Sequence, residues 1–279
     1  MNFLIWNSRG TGAQSFPALV CDLKTHYQLN FIAILETRCN KAVSQSRASQ
    51  LGFPNMELVD CEGYSGGIWC LWDHSFTSVS LIERHPQFLH FQVSRAAGCS
   101  WTITVVYGSP LCTSRRVLWD NLTRLAPSVQ GAWILGGDFN GTLFHCERRS
   151  LATFRRSVDC DFIRWVDMHE MRDVGFVGPE FTWKRGTFEA RLDRMIANDQ
   201  WAHLFPDASV SHLLFFKSDH RPILLRLNKD VNQAAANRPF RFIAAWVLHE
   251  KFDDFVQQSW APNMGWLPNI SQFTEACSK

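Results

Sequence analysis

Short runs of β-branched and aromatic residues recur along the chain, at 3–6, 31–35, 67–72, 77–82, 89–93, 101–107 and 133–135. Three more follow at 181–184, 191–196 and 222–227. Each has the length of a strand, and most are bounded by turn-forming residues. Between them, apolar positions three to four apart predict helices, most clearly over 17–30, 115–125 and 154–168. Strands outnumber helices, and 67–107 reads as consecutive hairpins, which argues against a doubly wound parallel sheet. The pattern predicts an α/β sandwich with largely antiparallel sheets.

At Asn228 the pattern changes. Residues 229–239 are small and polar with a closing proline, and read as a linker after a domain spanning 1–228. Beyond it, in 240–279, Phe242, Trp246, Phe252, Val256 and Trp260 fall on one helical stripe, suited to packing on the main body or on a neighbour. Composition adds two exclusions. With 22 Phe and 12 Trp among 279 residues, the chain has too many aromatics for a disordered protein. A net charge of +2 does not by itself announce a nucleic-acid binder, so any such role needs a local basic patch.

The nine cysteines form no CxxC or Cys/His cluster, which favours free thiols in a reducing compartment over zinc or disulfides. The apolar start is too short for a secretory signal core, and no run approaches the 18 or so apolar residues of a membrane span. A nuclear or cytoplasmic protein is expected, neither secreted nor membrane-bound.

Candidate chemistry lies where the apolar runs end. "NFLIW" leads into Asn7, "FIAIL" into Glu36, "TITVV" into Tyr107, "WILGG" into Asp138 and Asn140, and "LLFFKS" into Asp219 and His220. In an extended strand, positions two apart share a face, which would set Asp138 beside Asn140. Any single polar exit is unremarkable in a loop, but five in one chain point to a site at the sheet ends. Glu36 and Asp219 are hard oxygen donors of the kind Mg²⁺ takes, with Mn²⁺ an acceptable substitute. Asn7 and Asn140 add neutral amides, and His220 titrates near neutrality and needs an orienting carboxylate. Asp193 in "RLDRM" is a candidate for that partner, in competition with a salt bridge to Arg191 or Arg194. "GGDFNG" lacks a P-loop lysine. Metal-assisted hydrolysis of a phosphate ester suits this set best.

In order along the chain, "IWNSRG", "ILETR", "VVYGSP", "GGDFNG", "RLDRM" and "SDHRPI" resemble the motif set of the endonuclease/exonuclease/phosphatase superfamily. The resemblance implies the DNase I-like fold, a four-layer α/β sandwich of two mostly antiparallel sheets packed face to face and flanked by helices. More narrowly, "YSGGIWCLW", "FTWKRG" and "RPFRFIAAWVLHEKFDDFV" are similar to the endonuclease domain of plant LINE-type non-LTR retrotransposon polyproteins. On that likeness, 240–279 resembles the connector that leads to a reverse transcriptase, on which it would pack. The chain then looks like a truncated element, with no obligate protein partner evident.

The resemblance also implies roles. Glu36 becomes the main Mg²⁺ ligand with Asn7 beside it and Asp219 close by. Asp138 and Asn140 would handle the attacking water, and Tyr107 would contact the phosphate. His220, held by Asp193, would bond the scissile phosphate; the proton acceptor is either Asp138 or His220. Pro110 replaces an Asn common in the repair-type members, which weighs against abasic-site repair. DNA is the implied partner. Its backbone would meet Arg148, Arg149, Arg155, Arg156, Lys184 and Arg185, with Trp183 or Phe181 near a groove or a flipped base. A same-fold phosphatase or phospholipase and an inactive transposon remnant are the alternatives.

Overall fold

A computed structural model describes residues 1–39, 41–62, 65–95, 98–150, 158–228 and 252–259. The chain divides into two compact units, Met1–Lys229 and Asp230–Lys279. The second contributes one described helix, Phe252–Ser259. The linker expected at 229–239, and Phe242, Trp246 and Trp260, lie outside the described residues.

The first unit is built on two six-stranded sheets. One has the order β14 (Ser209–His212), β15 (Ile223–Arg226), β1 (Asn2–Asn7), β2 (Phe31–Leu35), β4 (Ser65–Trp72), β3 (Asn55–Glu62). The other runs β10 (Arg172–Asp173), β13 (Asp193–Ala197), β8 (Trp133–Asp138), β7 (Ser100–Tyr107), β6 (Phe88–Ser94), β5 (Ser78–His85). Each sheet has one parallel pair, β1/β2 and β7/β8, and its other neighbours are antiparallel. A parallel pair needs a long crossover. Helix α1 (Phe16–Tyr27) supplies the first and α3 (Cys112–Leu125) the second, with α2 (Lys41–Ser49) between them in the chain. A small third sheet joins β11 (Trp183–Arg185), β12 (Phe188–Ala190) and β9 (Arg148–Arg149).

Side-chain alternation makes the layers. Phe3, Ile5, Phe31, Ala33 and Leu35 face one way and meet Leu89, Phe91, Ile103, Val105 and Met195 in a core shared by the two large sheets. Leu4, Trp6, Ile32 and Ile34 face outward and are covered by Phe16, Val20 and Leu23 of α1. On the far side, Val106, Trp133 and Leu135 are covered by Leu118, Trp119 and Leu122 of α3 and by Phe162 and Trp165 of α4 (Cys160–Met168). The result is the expected four-layer sandwich. Strands buried on both faces read as the unbroken apolar runs seen in the sequence.

Three local expectations change. Residues 67–107 are not one run of hairpins, because β4 and β5 belong to different sheets and only β5, β6 and β7 form a meander. Asn30 is one reason: its side chain bonds Asp73 at 3.1 Å and Ser75 at 2.9 Å, anchoring the chain where it leaves the first sheet. The helix expected at 154–168 is described from Cys160, where the Asp159 side chain accepts from the Phe162 amide at 3.1 Å and caps it. Residues 154–157, including Arg155 and Arg156, lie outside the described residues. Last, "LLFFKS" is not a strand: β14 ends at His212, and Asp219 and His220 lie on the approach to β15.

Candidate active site

Parallel pairing of β1 with β2 sets their C-terminal ends side by side, with Asn7 opposite Leu35 and Glu36 one step beyond. Glu36 is at φ +53°, so the chain bends sharply just where its side chain is delivered. The Asn7 amide then donates to two carboxylates, Glu36 Oε2 at 3.0 Å and Asp138 Oδ2 at 2.9 Å. Its carbonyl oxygen is already taken by the Arg9 backbone N–H, at 3.1 Å. Asn7 therefore ties the two acids together through its hydrogens, while its oxygen also anchors the turn at Arg9.

Asp219 completes this side. Arg9 pairs with Asp219 and lies 3.7 Å from Glu36 Oε1, while Arg38 donates to the same Glu36 oxygen from Nε at 2.9 Å. The Trp183 indole also donates to Asp219 Oδ2, at 3.1 Å. The other oxygen, Asp219 Oδ1, is buried without a hydrogen-bond partner. A buried, unsatisfied carboxylate oxygen needs an explanation. Arg9 links Asp219 to Glu36, and carboxylate oxygens of this kind are the hard donors that Mg²⁺ or Mn²⁺ takes.

The second sheet supplies the other half. Parallel β7/β8 pairing puts Tyr107 level with Asp138, and antiparallel β13/β8 pairing puts Asp193 opposite it. Two facing carboxylates repel. His220 relieves this, with Nδ1 at 2.9 Å from Asp193 Oδ2 and Nε2 at 3.8 Å from Asp138 Oδ2. Arg191 and Arg194, the competing partners for Asp193, bond Glu147 and Asp173 instead. Asp138, Asp193 and His220 are also the one group of three or more His/Cys/Asp/Glu side chains among the described residues with ligand atoms close enough to share a cation. Holding one there would cost the imidazole its bond to Asp193.

Asn140 does reach Asp138, but not by strand alternation. The strand has ended, Asn140 is at φ +48°, and its backbone N–H bonds Asp138 Oδ1 at 2.8 Å in an Asx turn. Its side-chain amide donates to Asp138 Oδ2 at 3.2 Å and to the Gly108 carbonyl at 2.8 Å. Tyr107 is nearly buried, its ring joining the core between the sheets.

His220 is placed by its neighbours in sequence and space. Its N–H bonds Ser218 Oγ, whose hydroxyl donates to the Asn7 carbonyl at 2.7 Å, and its own carbonyl accepts from the Trp6 indole. Opposite Trp183, it forms a single antiparallel bridge. Thr182 Oγ1 accepts the Asp193 amide at 3.0 Å, fixing the other end of the pair. Burial opposes a charge on the imidazole, yet Asp193 and then Asp138 outweigh it and raise His220 to about 9. Burial also disfavours the Asp138 anion and, with Asp193 adding to it and His220 opposing, Asp138 rises to about 7. The two acids thus favour the charged imidazole, while burial favours a proton on Asp138.

The two basic stretches predicted for DNA meet in the small sheet. β12 pairs with both β9, carrying Arg148 and Arg149, and β11, carrying Lys184 and Arg185. Arg149 and Lys184 both pair with Glu189, at 3.3 and 3.2 Å, and Arg148 bonds Thr142 Oγ1 at 3.0 Å. Arg185 is exposed. Trp183 begins the same strand as Lys184 and Arg185, and its indole joins that small sheet to the acids through Asp219. Arg9, Arg38, Thr182 and Ser218 join the site without having stood out in the sequence: all four lie inside quoted motifs, but a lone arginine or hydroxyl there carries no signal of its own.

A sequence model of the Endonuclease/Exonuclease/phosphatase family matches residues 4–220. No curated protein sequence matches. Among solved structures, the chain is similar to a 3′-5′ exonuclease from Neisseria meningitidis at 15% identity and TM-score 0.62, over 82% of this chain and 100% of that one. An AP endonuclease from Leishmania major matches at 15% identity and TM-score 0.63, over 80% and 86% of the two chains. The endonuclease domain of TRAS1, a telomere-specific non-LTR retrotransposon, matches at 14% identity and TM-score 0.58, over 81% and 97%.

Proposed function

Because the chain belongs to the Endonuclease/Exonuclease/phosphatase family, we propose that it is a Mg²⁺-dependent endonuclease that nicks DNA and leaves a 3′-hydroxyl. The observation that carries this reading is the Asp193–His220 pair facing Asp138, which Asn7 ties to Glu36. One set of groups handles a proton and the neighbouring set suits a divalent cation, as hydrolysis of an unactivated phosphodiester requires.

In this scheme His220, charged and fixed through Nδ1 by Asp193, directs Nε2 at a non-bridging oxygen of the scissile phosphate and stabilises its growing charge. Asp138 takes a proton from water as the water oxygen bonds to phosphorus, and Asn140 keeps the carboxylate aimed. The bond from phosphorus to O3′ breaks, O3′ takes up a proton, and the phosphate stays on the 5′ end. Glu36 and Asp219 would hold Mg²⁺, which supplies Lewis-acid stabilisation of phosphate charge when bound. Arg148, Arg149, Lys184 and Arg185 would meet the DNA backbone as the phosphates displace Glu189. Tyr107 would reach the phosphate from the β7 end.

Retrotransposon origin is supported by "YSGGIWCLW", "FTWKRG" and the later connector-like stretch. The test is nicking of supercoiled plasmid by the full chain, with Mg²⁺ and with EDTA. Relaxation is expected with Mg²⁺ alone, producing ends that a polymerase extends. His220→Asn and Glu36→Gln, folded by circular dichroism, should each lose ~10²-fold or more. A folded wild-type protein that leaves the plasmid supercoiled in Mg²⁺ would end the nuclease reading.

A further inference from the structure

Arg9 stands out among the charged groups of the centre. Its guanidinium pairs with Asp219 and approaches Glu36, so one cationic side chain spans the two carboxylates best suited to a metal ion. Arg38 also pairs with Glu36, but no contact joins it to Asp219. The backbone helps to hold Arg9 there: it is at φ +52°, and its N–H is tied to Asn7 Oδ1 at 3.1 Å. An L residue adopts that conformation at a cost, so the turn is over-determined by its surroundings. The Arg9 side chain remains 34% exposed, against 11% for Glu36 and 21% for Asp219, so it has a way out to solvent.

A purely structural ion pair would leave both acceptors satisfied. Here Asp219 Oδ1 stays buried and unpartnered although Arg9 and Trp183 both serve the other oxygen. A guanidinium brings donors in one plane, whereas a divalent ion collects oxygens from several directions.

We infer that Arg9 is the centre's internal counter-cation: it neutralises Glu36 and Asp219 while no metal is bound, and a divalent ion must displace it to enter. The inference rests on reading Glu36 and Asp219 as the cation-holding pair. It makes Arg9 a positioning residue with two states, one on the carboxylates and one released at the rim, where an anionic phosphate is a suitable new partner. Cation binding and backbone binding then favour each other through one side chain, since each draws on the state the other stabilises.

The experiment measures Mn²⁺ binding to the full chain by calorimetry and by the electron-spin resonance of free Mn²⁺, without DNA. Wild type is compared with Arg9→Gln, Arg9→Lys, Arg38→Gln and Glu36→Gln, each checked for folding. Arg9→Gln should bind Mn²⁺ about tenfold more tightly, within the range usual for coupled sites. Arg9→Lys should gain less, and it stands in if the glutamine variant fails to fold. Arg38→Gln should gain less than Arg9→Gln, and Glu36→Gln should lose binding. Unchanged or weaker affinity in folded Arg9→Gln overturns the inference. So does an equal gain in Arg38→Gln, which would make net charge a sufficient cause, or retention of Mn²⁺ by Glu36→Gln. Because the readout needs neither DNA nor turnover, tighter Mn²⁺ binding by Arg9→Gln with no plasmid nicking by wild type would retain Arg9's role and remove the nuclease reading.

Discussion

His90 and His212 are two buried imidazoles whose basicity burial lowers, and they add to how the protein responds to acid. His90 Nδ1 lies 2.7 Å from Thr104 Oγ1, which also accepts the Trp133 indole N–H, and His212 Nδ1 lies 2.7 Å from the Pro179 carbonyl. Burial lowers both from 6.5 to about 4. A depressed histidine pKa means that, between these limits, the unfolded chain binds protons the folded one refuses. Their contribution is complete above pH 6.5 and drains away as pH falls towards 4, by up to ~3 kcal/mol for each. Thermal midpoints measured across that window should fall less steeply in His90→Gln than in wild type; parallel curves would contradict this. At the same scale, the acids at the strand ends were legible because an Asp or Glu after an apolar run stands out. The choice between Arg and His as the partner of Asp193 was not, because it depends on Glu147 and Asp173 claiming both arginines from distant segments.

Those four side chains act at the scale of elements. Glu147 and Asp173 grip Arg191 and the fully buried Arg194, joining the start of β9, β10 and β13 around the strand that presents Asp193. Burial would push both acids up, but the arginines overcome it and hold Glu147 and Asp173 below their usual range. Removing one charge leaves another stranded, and Glu147→Gln should cost ~3–5 kcal/mol, read by urea unfolding. A loss below 1 kcal/mol would show the quartet to be dispensable. Strands such as β2, with five residues, and β7, with eight, were legible as apolar runs. Strands β9 and β10 have two residues and β12 three, too few to show a period, so their pairing is dictated by tertiary contacts.

At the scale of the molecule, the two large sheets repeat one plan. Read from β14 to β3 and from β5 to β10, their strand directions match step for step, with the parallel pair at the centre of each. The first sheet delivers Asn7 and Glu36 and the second Tyr107 and Asp138, from corresponding ends. Gly136 lies at the contact between them: a Cβ there would stand 2.2 Å from Met195 Sδ and 2.8 Å from Ile5 Cδ1. Gly136→Ala should therefore wedge the sheets, costing ~1–3 kcal/mol in urea and lowering nicking by more than its loss of folded protein. Loss of activity only in step with loss of folded protein would refute the second part. The sandwich was legible in the spacing of its strands, but the assignment of β4 and β5 to opposite sheets was not, since the same alternation serves either.

The pairing of β15 with β1 has a consequence in time. Residues 2–5 find their antiparallel partners only at 223–226, and Asp219 and His220 arrive on the same late stretch. At roughly 5–20 residues per second, a ribosome needs tens of seconds to reach that point. For the latter part of that interval the growing polypeptide carries Glu36 and Asp138 but not yet Asp219 and His220. The pairing that seals the first sheet is thus also the event that brings Asp219 and His220 to Glu36 and Asp138.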